Sequence, residues 1–148
     1  MKTKVNDAEA CFAKGFNCCQ AVLSTYGVEF GIEEEKALKI ASGFGAGIAY
    51  MGDICGAVTG AFMVLGLKYG RNKVEDEKAK EKTYELIQKF IRKFKTKNGS
   101  IKCNDLLGVD VGTTEGLKIA HDEGKFSTIC PAMVRDSASI VERLLKTK

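Results

Sequence analysis

Six cysteines hold most of the chemistry this 148-residue chain can offer: Cys11, Cys18, Cys19, Cys55, Cys103 and Cys130. Thiolates can ligate a metal, cycle with disulfides or attack an electrophile, and which of these is open depends on how the cysteines are spaced. No Cys-x-x-Cys occurs, so neither a thioredoxin-type redox motif nor a zinc ribbon with paired ligands is encoded. Any shared site must be assembled from distant segments by tertiary packing. His121 is the only histidine. Flanked by Lys118, Asp122 and Glu123, it reads as an exposed helix-end residue, and nothing resembles a nucleophile with a histidine base.

Four of the six share a placement. Cys18, Cys55, Cys103 and Cys130 each fall at or just before the start of an expected helix. Helix N-termini carry unpaired amides and partial positive charge, which stabilise a thiolate and lower its pKa below the free value of about 8.5. All four are therefore expected to be anionic and to converge where helices begin, as ligands of a metal ion or iron–sulfur centre or as a thiol/disulfide couple. Four ligands without a close pair suit a buried tetrahedral site. Cys11 lies mid-helix and reads as core, and Cys19 points roughly 100° round the helix from Cys18.

The elements that must position these sulfurs are helical. Asp53 to Tyr69 has no charged side chain between Ile54 and Leu67, and its apolar residues go most of the way round, as in a helix enclosed by neighbours. Asp53 is its expected N-cap, placing Cys55 in the first turn, while Gly56 and Gly60 with Ala57 and Ala61 make a face with almost no side chain. Ahead of it come Asn6 to Lys14, then Cys18 to Tyr26 capped by Asn17 and ended by Gly27, then a helix opened by Glu33, Glu34 and Glu35 and reaching Ser42. Gly43 to Gly52 is an apolar glycine-rich link. It follows a helix and lacks Gly-Lys-Ser or Gly-Lys-Thr, so it is no phosphate loop; close packing is the plainer reading, and amides facing an anion or sulfur site the functional one.

Val74 to Lys97 is the clearest helix, with a stripe of Tyr84, Ile87, Ile91 and Phe94, acidic residues at its start and basic ones at its end. A short helix from Thr114 to His121 follows. Pro131, a residue favoured at the first helical position, starts the last helix, which runs to Leu145. No segment alternates like a strand. The expected fold is all-α, a compact helical bundle around a buried glycine-rich central helix, in one domain over residues 1–148.

Composition narrows the function classes. A 45% hydrophobic chain can build a full core without disulfides. The net charge of +4 is spread among nearly as many acidic residues, so nucleic acid is not an expected partner. The apolar run is shorter than a membrane span needs, and Asn6, Asp7 and Glu9 stand where a signal peptide would place its apolar segment, so the expectation is a cytoplasmic protein without membrane insertion.

The chain resembles a known family over nearly its whole length: the redox-active proteins named for their C_GCAxxG_C_C cysteine pattern. The marker Cys-Gly-Ala-x-x-Gly is matched by Cys55-Gly56-Ala57-Val58-Thr59-Gly60 and continues through Ala61 to Leu67. The upstream cysteine is matched in Phe16-Asn17-Cys18, the third in Cys103-Asn104-Asp105-Leu106-Leu107-Gly108, and the fourth in Cys130. Cys19 stands where members typically carry alanine, and Cys11 lies outside the pattern. The resemblance implies a redox site at Cys18, Cys55, Cys103 and Cys130 without giving its reaction; metal ligands or catalytic thiols of an oxidoreductase or electron-transfer component are the expected roles. A redox partner protein and a homodimer are the expected company. A non-catalytic helical interaction module with buried structural cysteines is the alternative.

Overall fold

The computed structural model describes residues 2–148, and among them the fold is all-α. Eight helices follow in order: α1 (Val5–Ala13), α2 (Cys18–Gly27), α3 (Glu34–Ala41), α4 (Gly56–Tyr69), α5 (Glu77–Asn98), α6 (Cys103–Leu107), α7 (Thr114–Asp122) and α8 (Lys125–Leu144). The one β-like feature among the described residues is an isolated antiparallel bridge between Ile54 and Lys102.

α4 packs against α2, α5 and α8. Its small-residue face receives α2: a β-carbon on Gly60 would stand 3.1 Å from both the Cys19 carbonyl oxygen and Val22 Cβ. Ala57, Val58, Ala61, Val64 and Leu65 are fully buried. From α5 come Phe90 and Phe94, stacked at 5.9 Å, with Phe62 of α4 edge-on to Phe90 at 5.9 Å. α8 closes the core with Val134, Ala138 and Val141, and the buried Ser137 hydroxyl donates 2.6 Å to the Ala57 carbonyl. Glu142 then ties three elements together, accepting from the Lys4 amide before α1 and from the Tyr26 hydroxyl of α2.

A smaller cluster sits beside this core, made of Cys103, Leu107, Val111, Ala120 and Cys130 with Phe126 and Leu117 against it. Cys18 and Cys55 belong to the main core. The four cysteines thus lie on the seam between the two clusters.

Several boundaries differ from the sequence expectation. α2 ends at Gly27, as expected, but not on a left-handed glycine: Gly27 has an ordinary helical φ of −64°, the chain continues through a 3-10 turn at Val28–Phe30, and Gly31, at φ +94°, makes the left-handed stop. Asp53 does not cap α4. Its carbonyl is taken by the Cys103 amide, and Cys55 itself is the N-cap residue. α5 starts at Glu77, where the Asp76 carboxylate accepts from the Ala79 amide. Its buried stripe is Thr83, Leu86, Phe90 and Phe94, leaving Tyr84 exposed. Pro131 lies inside α8, not at its start, because the helix begins at Lys125 on a left-handed Gly124. Proline there removes the bond that the Ser127 carbonyl would otherwise accept, a loss eased by solvent around the exposed Ser127.

Candidate cysteine site

Each of the four sulfurs is set by a different local device. Cys18 is the first residue of α2, held by a reciprocal capping box: the Gln20 amide donates 2.8 Å to Asn17 Oδ1, and the Asn17 amide donates 2.9 Å to Gln20 Oε1. Asn17 Nδ2 also donates to the Ser42 carbonyl at 3.1 Å, fastening this helix start to the end of α3. Cys55 and Cys103 are placed by the two short extended segments around the Ile54–Lys102 bridge. The Cys55 amide donates to the Ile101 carbonyl at 2.8 Å and the Cys103 amide to the Asp53 carbonyl at 2.7 Å. Cys130 is carried on the second turn of α8, directly before Pro131.

All four line one cavity of about 530 Å³. Its walls are largely apolar, with Phe12, Phe16, Leu106, Phe126, Ile129 and Met133 among them. No lysine, arginine, aspartate or glutamate lines it. His121 does, its ring 5.2 Å from that of Phe126, and so belongs to the cavity rim although it stays exposed. Reading it only as a helix-end residue missed this, because nothing local says that α7 turns that face toward Cys130.

The glycine-rich link forms another wall. Ala46, Gly47, Ile48, Ala49 and Tyr50 all have positive φ, between +48° and +68°, making one left-handed turn where a flexible link was expected. Such backbone costs roughly 1–2 kcal/mol per non-glycine residue and survives only where surroundings impose it. Here the Asp53 amide donates to the Gly47 carbonyl at 2.9 Å and the Gly52 amide to that of Ala46 at 3.3 Å. There is no room to relax: a β-carbon on Gly47 would meet Cys103 Cβ at 2.7 Å. Ala46, Ala49 and Tyr50 face the cavity.

Electrostatics separate the four sulfurs. Cys18 is lowered from an ordinary 9.0 to about 7, first by the hydrogen bond from Cys55 and then, against the cost of burial, by the backbone amides of Ala57, Cys18 and Gly56. Its sulfur therefore sits at the amino ends of α2 and α4 together. Cys55 is pushed well up, first because that same bond is donated to Cys18 and then by burial. Cys103 and Cys130 are pushed up to about 12 by burial and then by the nearby Cys18 charge. The expectation that all four are anionic is corrected: only Cys18 is lowered, first by Cys55 and then by the helix-start amides, while the other three are held up by burial and by Cys18 itself.

The remaining cysteines stay apart from the cavity. Cys19 is fully buried on the α4 side, accepts from the Thr59 hydroxyl at 3.7 Å, and is pushed up to about 12 by burial. Cys11 is half-buried, with its sulfur 3.6 Å from the Ser24 hydroxyl. All six are free thiols. Among the described residues no three His, Cys, Asp or Glu side chains are arranged to hold a metal ion together, so the four sulfurs do not form a ready ligand shell. No helix among those residues is long and apolar enough to cross a membrane.

No curated protein and no solved structure matches the chain. A family model does, over residues 16–144, a span that takes in Cys18, the Cys55-Gly56-Ala57-Val58-Thr59-Gly60 marker, Cys103 and Cys130. The chain belongs to the family described as putative redox-active protein (C_GCAxxG_C_C).

Proposed function

We propose that the protein is a small oxidoreductase or electron-transfer component whose working couple is Cys18 and Cys55, cycling between a thiolate–thiol pair and a disulfide. The observation that carries this reading is the position of Cys18 Sγ, which rests against Gly56, the residue that follows Cys55, in the cavity that both cysteines line. Of the two, Cys18 is the more acidic thiol and Cys55 the one that keeps its proton. On oxidation the Sγ–Sγ bond forms, Cys55 releases its proton, and two electrons pass to an acceptor in the cavity. Cys103 and Cys130 line the same cavity as neutral thiols, so neither competes with Cys18 as the attacking sulfur until it loses its proton.

Protein purified and reduced without oxygen, then treated with diamide, tests this. Two thiols should be lost first, with mass mapping placing the link between Cys18 and Cys55. Metal bound in stoichiometric amount before oxidation would favour thiolate ligation in its place. Six thiols that resist diamide, with no metal, would leave a helical interaction module with structural cysteines.

A further inference from the structure

The cavity has a chemical character of its own beyond the four sulfurs. It holds about 530 Å³, the size of a small-molecule site. Aromatic rings contribute to its wall from four elements: Phe12 on α1, Phe16 before α2, Tyr50 on the left-handed turn and Phe126 on α8. Its polar side chains, apart from the thiols, are few: Asn17, Ser42, the Tyr50 hydroxyl and His121. With no cationic lysine or arginine in the lining, nothing there matches a carboxylate or phosphate, which disfavours nucleotides and peptide-like thiols as occupants. An uncharged, flat, apolar molecule is what the walls can bury.

The couple adds a second constraint. Resting on the reading of Cys18 and Cys55 as the working pair, the occupant must accept two electrons together with protons. We propose that the cavity is the binding site of a small uncharged quinone, which is reduced to the hydroquinone as Cys18 and Cys55 form their disulfide. The Cys18 thiolate adds to the quinone ring and an electron pair moves onto a ring oxygen, which takes a proton from solvent by way of His121. The Cys55 sulfur then attacks Cys18 Sγ. The S–S bond forms, the carbon–sulfur bond breaks with its electron pair returning to the ring, and the Cys55 proton ends on the second oxygen. Thiolate, thiol, quinone and one proton give disulfide and hydroquinone, and the reverse run oxidises a hydroquinone.

Duroquinone, an uncharged benzoquinone, is the probe, with diamide in parallel on the same anaerobic reduced protein. Expected is oxidation whose rate saturates with duroquinone, one hydroquinone formed per Cys18–Cys55 disulfide, and no competition from the doubly negative anthraquinone disulfonate. Phe16→Ala, a change at the half-exposed rim, should raise the half-saturating concentration roughly tenfold; Leu106→Trp, which fills the cavity, should do the same or more. The proposal is overturned if diamide forms the disulfide while duroquinone reacts without saturation, or if neither variant shifts the half-saturation. Should neither oxidant link Cys18 to Cys55, the couple itself is wrong and the quinone site falls with it.

Discussion

Cys18 Sγ rests so closely on Gly56 that a β-carbon on this glycine would come within 2.9 Å of the sulfur. It would also meet the Phe44 carbonyl oxygen at 2.9 Å and the Cys19 amide nitrogen at 3.0 Å. Two of these contacts are backbone and cannot swing away. Gly56 is thus what lets a thiolate reach the amino end of α4, where the first amides are unpaired.

Gly56→Ala should therefore do two things at once. Overpacking should cost about 1–3 kcal/mol of stability, read by denaturant unfolding. The sulfur, pushed off the Gly56 and Ala57 amides, should also titrate higher than about 7, read by the pH dependence of its alkylation rate. A variant that alkylates with an unchanged midpoint would show that these amides do not hold the charge.

The pH dependence of stability should change sign. Cys18 titrates lower in the folded chain than in the unfolded one, so between about 7 and 9 the unfolded state carries a proton that the folded state lacks, and stability rises with pH. That contribution is complete above the unfolded value and is lost as pH falls through about 7. Cys103 and Cys130, held up to about 12, act oppositely: their contribution is complete below the unfolded value and declines as pH rises beyond it. Denaturant midpoints should climb from neutral pH toward about 9 and fall beyond it, and midpoints that do not fall above about 9 would contradict the assignment of the low value to Cys18 alone.

Serine and alanine at position 55 should separate hydrogen bonding from redox chemistry. Cys55→Ser keeps a donor against Cys18, so the alkylation midpoint of Cys18 should stay within about one unit while the two-thiol oxidation disappears. Cys55→Ala removes the donor that most lowers Cys18, and the midpoint should move up. If both variants titrate alike, the low value comes from the helix amides and not from Cys55.

Much of this was legible in the sequence because its causes are local. Asn17 and Gln20 stand at the spacing of a capping box, the charges of α5 are sorted by sign along its length, and Gly60 and Ala61 announce a close contact before any partner is known. The convergence of Cys18, Cys55, Cys103 and Cys130 on one cavity followed from their common place near helix starts, even though Cys130 proved to lie a turn further in. What could not be read is tertiary. The low value of Cys18 depends on Cys55 and on the start of α4 behind it, thirty-seven and thirty-eight residues away, and the protonation of its neighbours on burial and then on Cys18. His121 joins the cavity only because α7 folds back beside α8. Ala46, Ile48, Ala49 and Tyr50 carry no local signal for left-handed backbone, which the bonds from Gly52 and Asp53 impose.

That imposed turn yields the last prediction. Ala49 sits at φ +48° and ψ +52°, where a β-carbon crowds the following carbonyl and glycine has no such penalty. Ala49→Gly should relieve this, and after allowing for the greater freedom of glycine in the unfolded chain the net gain should be about 0.5–1 kcal/mol. Ala49→Val, branched where the backbone tolerates it least, should lose more than about 1 kcal/mol. Since the same turn holds Tyr50 against the cavity, the slacker backbone of the glycine variant should also admit reagents more readily, so alkylation of Cys18 should quicken at fixed pH while its midpoint stays put. Stabilisation without faster alkylation would mean that Tyr50 does not limit entry, and destabilisation by glycine would mean that the turn is not left-handed in solution.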